Sequence, residues 1–168
     1  MKVILFMAMT LNGYIAKENN EAPWSDTVWK GYYDFIKERK NIVLGRTTYE
    51  MMKEVNEFEK LENPFTIVVT KTPLDNTQNT VFVSSPKEAV EICGNKGMSE
   101  MVIGGGSTLN TAFLEQNLID EVYIDIEPQV FGKGIKLFGD IDIHSRLDLI
   151  EVKKLTEGIV RLHYQFIK

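Results

Sequence analysis

At 168 residues the chain can bury a continuous core and falls in the size range of one domain. Its 43% hydrophobic and 26% charged content is ordinary globular composition; its net charge of −5, with a pI near 5.2, argues against nucleic acid and anionic membrane as partners, since both reward clustered Lys and Arg. A single cysteine, Cys93, excludes a disulfide framework and a cysteine-rich metal site, and two histidines, His144 and His163, do not make a structural zinc centre.

The apolar run Met1 to Met9 is too short to span a bilayer. Thr10-Leu11-Asn12-Gly13 lacks the small-residue cleavage site of a signal peptide, so 2–9 reads as a strand covered on both faces, and the protein is expected in the cytoplasm. Ser25 or Asp26 can cap a helix running to about Lys40, with Val28, Trp29, Tyr32, Tyr33, Phe35 and Ile36 in one broad apolar stripe. A short strand at 41–44 passes through Gly45-Arg46-Thr47 into a second helix ending near Val55. Residues 65–69 and 80–83 read as strands, and Pro86 opens a helix ending near Gly94. A strand at 100–103 enters Gly104-Gly105-Gly106, followed by a helix over 107–116.

There the helical period stops. Residues 121–127 are strand-like, and 147–155 and 159–167 are paired runs around the turn dipeptide Glu157-Gly158. No repeat or linker divides the chain, so the pattern predicts one α/β domain over 1–168, its mixed sheet sandwiched by helices.

Three strand ends carry candidate chemistry. At Val102-Ile103-Gly104-Gly105-Gly106-Ser107-Thr108 the glycines would let a diphosphate approach the backbone, and the helix start offers free N–H groups. The same triplet serves equally as a tight turn that needs positive φ, and Leu109 stands where a Rossmann fingerprint has its third glycine. Ile42-Val43-Leu44-Gly45-Arg46-Thr47-Thr48 repeats the logic, with Arg46 suited to the 2′-phosphate of NADP or to a solvated surface. Thr70 and Lys71 close a third strand, either as part of an adenosine-phosphate pocket or as a plain strand exit.

With these residues in order, the sequence resembles the dihydrofolate-reductase-like superfamily. It is most similar to the branch shared with the reductase domain of the bacterial bifunctional riboflavin-biosynthesis deaminase–reductase. Four segments carry the likeness: Ala8 to Ala16, Ile42 to Glu50, Val102 to Ser107, and Leu118 to Val122 continuing to Pro128 and Gly132-Lys133-Gly134. The resemblance implies a three-layer αβα sandwich whose mostly parallel sheet ends in an antiparallel hairpin, and it implies NADPH as cofactor. Gly45, Arg46, Thr47 and Thr48, with Gly104, Gly105, Gly106, Ser107 and Thr108, would hold the phosphates. Ala8 and Ile15 would lie beside the nicotinamide, with Thr70 and Lys71 on the adenosine side. It also implies a cis peptide at Gly104-Gly105, and homodimers are common among such reductases.

One departure bears on the substrate. Folate reductases place an acid near the start of the first helix, and Trp29 holds that place here, offering a stacking wall or core packing instead. Asp26, one turn earlier, and Asp125, which interrupts Val122-Tyr123-Ile124-Asp125-Ile126, are the carboxylates that could replace it as proton donor. Each also has a plain reading, Asp26 as a favourable charge in a first helical turn and Asp125 as a residue on the solvent side of its strand. The expected reaction is hydride transfer from NADPH to a pyrimidine- or pteridine-like heterocycle, as in a phosphoribosylaminouracil reductase. The alternatives are a dihydrofolate reductase with a rewired acid site and a nucleotide-binding module without catalysis.

Overall fold

The computed structural model describes residues 1–72 and 74–168. The strands are β1 (Lys2–Thr10), β2 (Tyr14–Ala16), β3 (Asn41–Gly45), β4 (Phe65–Val69), β5 (Thr80–Val83), β6 (Glu100–Ile103), β7 (Glu121–Glu127), β8 (Ile135–Lys136), β9 (Leu147–Lys154) and β10 (Val160–Phe166). The helices are α1 (Asp26–Arg39), α2 (Arg46–Glu54), α3 (Glu57–Lys60), α4 (Pro86–Asn95) and α5 (Ser107–Glu115). One eight-stranded sheet runs β5-β4-β3-β6-β1-β7-β10-β9, and β2 pairs with β8 in a small antiparallel ribbon.

Every described pairing from β5 to β7 is parallel; β10 alone runs against its neighbours, antiparallel to both β7 and β9. This is the expected mixed sheet with an antiparallel finish. Alternation along β1 builds the two cores. Val3 and Leu5 join Phe113, Cys93 and Ala89 under α4 and α5, while Ile4 and Phe6 join Phe35 and Ile36 of α1 on the other face. Burying both faces of a central strand requires the near-continuous apolar run that opens the chain.

Local chemistry sets the helix ends. Ser25 rather than Asp26 caps α1, its Oγ accepting from the Val28 amide, and Lys40 ends the helix in the left-handed conformation at φ 56°. Ser85 caps α4 the same way, with Pro86 at its first turn. Three short elements escaped the sequence patterns: β2, β8 and α3 are each too brief to show a period. The sheet's far edge is open. Every residue of β9 is exposed, including Leu147, Leu149, Ile150 and Val152.

Candidate active site

The carboxyl ends of β1, β3, β4 and β6 open onto one cleft of about 1110 Å³. Pockets for one small ligand run to roughly 300–1,000 Å³, so this cleft has room for a long ligand or for two side by side. Sheet proteins of this class gather ligands at such strand ends. Of the cofactor residues anticipated from the sequence, the structure brings Ala8, Ile15, Gly45, Arg46, Thr47, Thr48, Thr70, Lys71, Gly104, Gly106, Ser107 and Thr108 to its walls. Gly105 lies behind the wall and ties the floor together.

That floor is made of backbone. The Gly45 amide donates to the Gly105 carbonyl at 2.8 Å, and the Gly104 amide donates to Val43 at 2.9 Å, so the two glycine-bearing loops form one surface. Gly45 and Gly106 are the N-caps of α2 and α5, and neither helix has a side-chain cap. The first amides of both helices thus keep free donors, and the two positive dipole ends lie at the same cleft. The contrast with the serine-capped α1 and α4 is chemical: a capping hydroxyl would occupy the donors that an anion needs.

The triplet divides its labour. Gly105 takes φ +94°, as the tight-turn reading requires. A Cβ on Gly104 would come within 2.6 Å of Ile42 Cδ1, so this position is closed by packing. The cis peptide lies at Gly105–Gly106, one bond later than the resemblance implied at Gly104–Gly105. Arg46 donates from Nε to Glu50 at 2.7 Å, which orients the guanidinium and leaves its Nη groups free of that contact. Thr70 Oγ1 accepts from the Thr72 amide at 3.2 Å, and Lys71 is exposed at the rim.

The other end of the cleft is aromatic. Trp29 stacks on Tyr33, ring centres 6.0 Å apart and 24° between planes, and meets Tyr32 edge-on at 6.1 Å. Glu57 of α3 lines this end at 7% exposure. Its Oε1 accepts from the Tyr33 hydroxyl at 2.5 Å and its Oε2 from Lys60 Nζ at 2.9 Å. Burial first, and then the neighbouring Glu57 carboxylate, push both tyrosine hydroxyls above their usual value of 10. Both therefore hold their protons, and Tyr33 acts as the donor to Glu57. Glu57 was invisible to the sequence patterns because it sits on a single helical turn, with the chain turned into it by the left-handed Asn56.

The structure corrects both proposed acids. Asp125 is fully buried outside the cleft lining, where Arg161 holds it through two bonds, Nε to Oδ1 at 2.6 Å and Nη2 to Oδ2 at 2.8 Å. Strand alternation turns Asp125 beneath α1, and Gly31 makes the room: a Cβ there would stand 2.6 Å from Arg161 Nη2. Asp26 is exposed on the outer side of α1, in a separate depression shared with Lys30 and Asp34. Of the three residues assigned to the substrate side, only Trp29 reaches the cleft.

The remaining polar groups on that sheet face are matched to partners. Glu127 accepts from the Ser25 amide and hydroxyl at 2.8 and 2.6 Å, anchoring the start of α1. Glu121 pairs with Lys2 at 2.7 Å and His163 at 2.9 Å, and His163 stacks on Tyr123. Among the described residues no group of His, Cys, Asp and Glu is arranged to hold a metal ion, and no helix is long and apolar enough to cross a membrane.

Comparison with known proteins agrees with this fold. YwjB of Bacillus subtilis (strain 168) is 32% identical over 171 residues, covering 97% of both chains. The dihydrofolate reductase of the same organism is 32% identical over 109 residues, spanning 65% of this chain and 60% of its own length. A Shewanella sp. PV-4 protein named for riboflavin biosynthesis superposes with a TM-score of 0.84 at 23% identity, covering 100% of both chains, which places the fold. The RibD C-terminal domain model matches residues 1–161, and the chain belongs to that family.

Proposed function

We propose that the protein is an NADPH-dependent reductase acting on a flat pyrimidine- or pteridine-like heterocycle. One observation carries the reading: two uncapped helix N-termini, joined by the Gly45–Gly105 hydrogen bond, form the floor of a cleft whose lining includes the cationic Arg46 and Lys71. That donor set fits a pyrophosphate on backbone amides and a 2′-phosphate under the Arg46 guanidinium. When bound, the cofactor supplies the hydride.

The chain's own residues do the rest. The α2 and α5 ends bind the phosphates; Ala8 and Ile15 form the buried wall for the nicotinamide; Trp29 offers a flat face for the acceptor ring. The proton that balances the hydride is assigned to a solvent water, since the Asp125 carboxylate is already held by Arg161. Folate reduction through Asp26 or Asp125 loses its support with both groups outside the cleft.

The test is a fluorescence titration with NADPH and NADH. NADPH binds more tightly, and Arg46→Ala removes the preference at a cost of roughly tenfold or more in NADPH affinity. Equal binding of the two cofactors by the parent protein overturns the reading. The open edge is assigned to a second copy of the chain, because β9, paired with β10 on one side only, exposes Leu147, Leu149, Ile150 and Val152. Sedimentation should return a dimer that Leu149→Asp converts to monomer.

A further inference from the structure

We infer that Glu57 determines specificity at the aromatic end of the cleft, by accepting hydrogen bonds from adjacent N–H donors on the edge of a flat ring. The inference rests on the reductase reading above and adds to it the group that reads the acceptor.

The argument starts from what the cleft offers a ligand. Its phosphate end presents backbone donors, Arg46 and Lys71, all suited to anions. Its other end presents ring faces from Trp29, Tyr32 and Tyr33, with one buried carboxylate, Glu57, and its partner Lys60 among them. The other carboxylate at the cleft wall, Glu54, is exposed. Flat rings pack against aromatic faces with little selectivity, because every ring has such a face. Selectivity has to come from the polar edge, and Glu57 is the buried acceptor placed there.

Its geometry is prepared for that work. A carboxylate offers about four acceptor positions. Tyr33 takes one on Oε1 and Lys60 takes one on Oε2, which fixes the plane of the group and leaves a lone pair on each oxygen. Two parallel acceptors in a fixed plane match two adjacent N–H groups, as where an exocyclic amine stands beside a ring nitrogen that carries a proton. The tyrosine partner cannot reverse the polarity. Burial and the Glu57 carboxylate keep the Tyr33 hydroxyl protonated, so it donates to Glu57 and holds that oxygen in place. A ring edge that presents only acceptors would face this carboxylate with no proton between them, and a buried acceptor left unpaired is penalised.

The experiment uses two probes of nearly the same ring, 2,4-diaminopyrimidine with N–H donors and 2,4-dimethoxypyrimidine without them. Each is titrated into the full-length protein with and without saturating NADPH, following tryptophan fluorescence. The diamino ring should bind the parent protein at least about tenfold more tightly than the dimethoxy ring, the difference expected from a bidentate charge-assisted contact. Glu57→Gln should abolish that preference while NADPH affinity stays unchanged, and the unchanged cofactor binding also reports that the variant is folded. Equal binding of the two rings by the parent protein, no binding of the diamino ring, or a preference retained in Glu57→Gln overturns the proposal. Comparing the two parent-protein titrations needs no variant at all. Failure of NADPH to bind would overturn the cofactor reading instead, and the titration without NADPH still decides the role of Glu57.

Discussion

The two ends of the cleft are built by different means. The phosphate end is made of backbone: two helix starts and four glycines, Gly45 in one loop and Gly104 to Gly106 in the other, joined by two main-chain hydrogen bonds. The aromatic end is made of side chains from α1 and from the single turn α3, with Tyr33 and Glu57 separated by 24 positions. Apart from Arg46, the phosphate end tolerates side-chain changes that neither alter φ nor crowd the glycine floor, whereas a side-chain site is lost with one substitution. Variants at one end should therefore leave the other end's ligand alone, and departures from that independence would break the comparison.

The largest expected effect lies just beneath the aromatic end. Asp125→Ala leaves the Arg161 guanidinium under α1 without its carboxylate, and removing one partner of a buried pair costs about 3–5 kcal/mol. Chemical denaturation should report that loss directly. The pH profile of turnover, measured at a temperature where the variant is folded, should keep its shape, because the carboxylate touches no cleft residue's ligand face. A lost ionisation in that profile would return Asp125 to the chemistry.

Next in size is Gly105→Ala at the phosphate end. The position requires φ +94°, and the added Cβ would stand 3.2 Å from the Met7 side chain, so strain of roughly 1–3 kcal/mol is expected. Both thermal stability and NADPH affinity should fall, while the diaminopyrimidine preference set by Glu57 survives. A variant that kept its cofactor affinity would show that the joined glycine floor is not what holds the phosphates.

The same contrast explains what could be read from the chain. The phosphate end was legible because strand, glycine and helix start follow one another within a few residues, each with its own local signature in Ile42 to Thr48 and Val102 to Thr108. The layered sheet was legible for a similar reason, since apolar alternation in β1 and the stripe on α1 are local periods. Asp125 was misplaced because alternation assigns a residue to a face without saying what covers that face. Here it is α1, through the gap at Gly31, and the covering partner Arg161 lies 36 positions away. Glu57 was missed because a four-residue helix has no period, and its meaning depends on a tyrosine three elements earlier. The missed β2 and β8 follow the same rule, being strands of three and two residues.

The smallest effect concerns the edge of the polar seam, far from both ends. Burial works to raise the Glu121 carboxyl, but hydrogen bonds from Lys2 and His163 outweigh it and hold the group below its usual 4.5. A carboxyl lowered on folding contributes stability that is complete above its unfolded value and is lost as pH falls through the lower folded value. Stability measured by urea denaturation should therefore decline as pH drops below about 4.5, and Glu121→Gln should flatten part of that decline while lowering stability at neutral pH. Lys2 is nearly half exposed, so its share of the pairing is screened and the flattening should shrink further in high salt. A decline of unchanged steepness in Glu121→Gln would assign the acid sensitivity to other carboxylates.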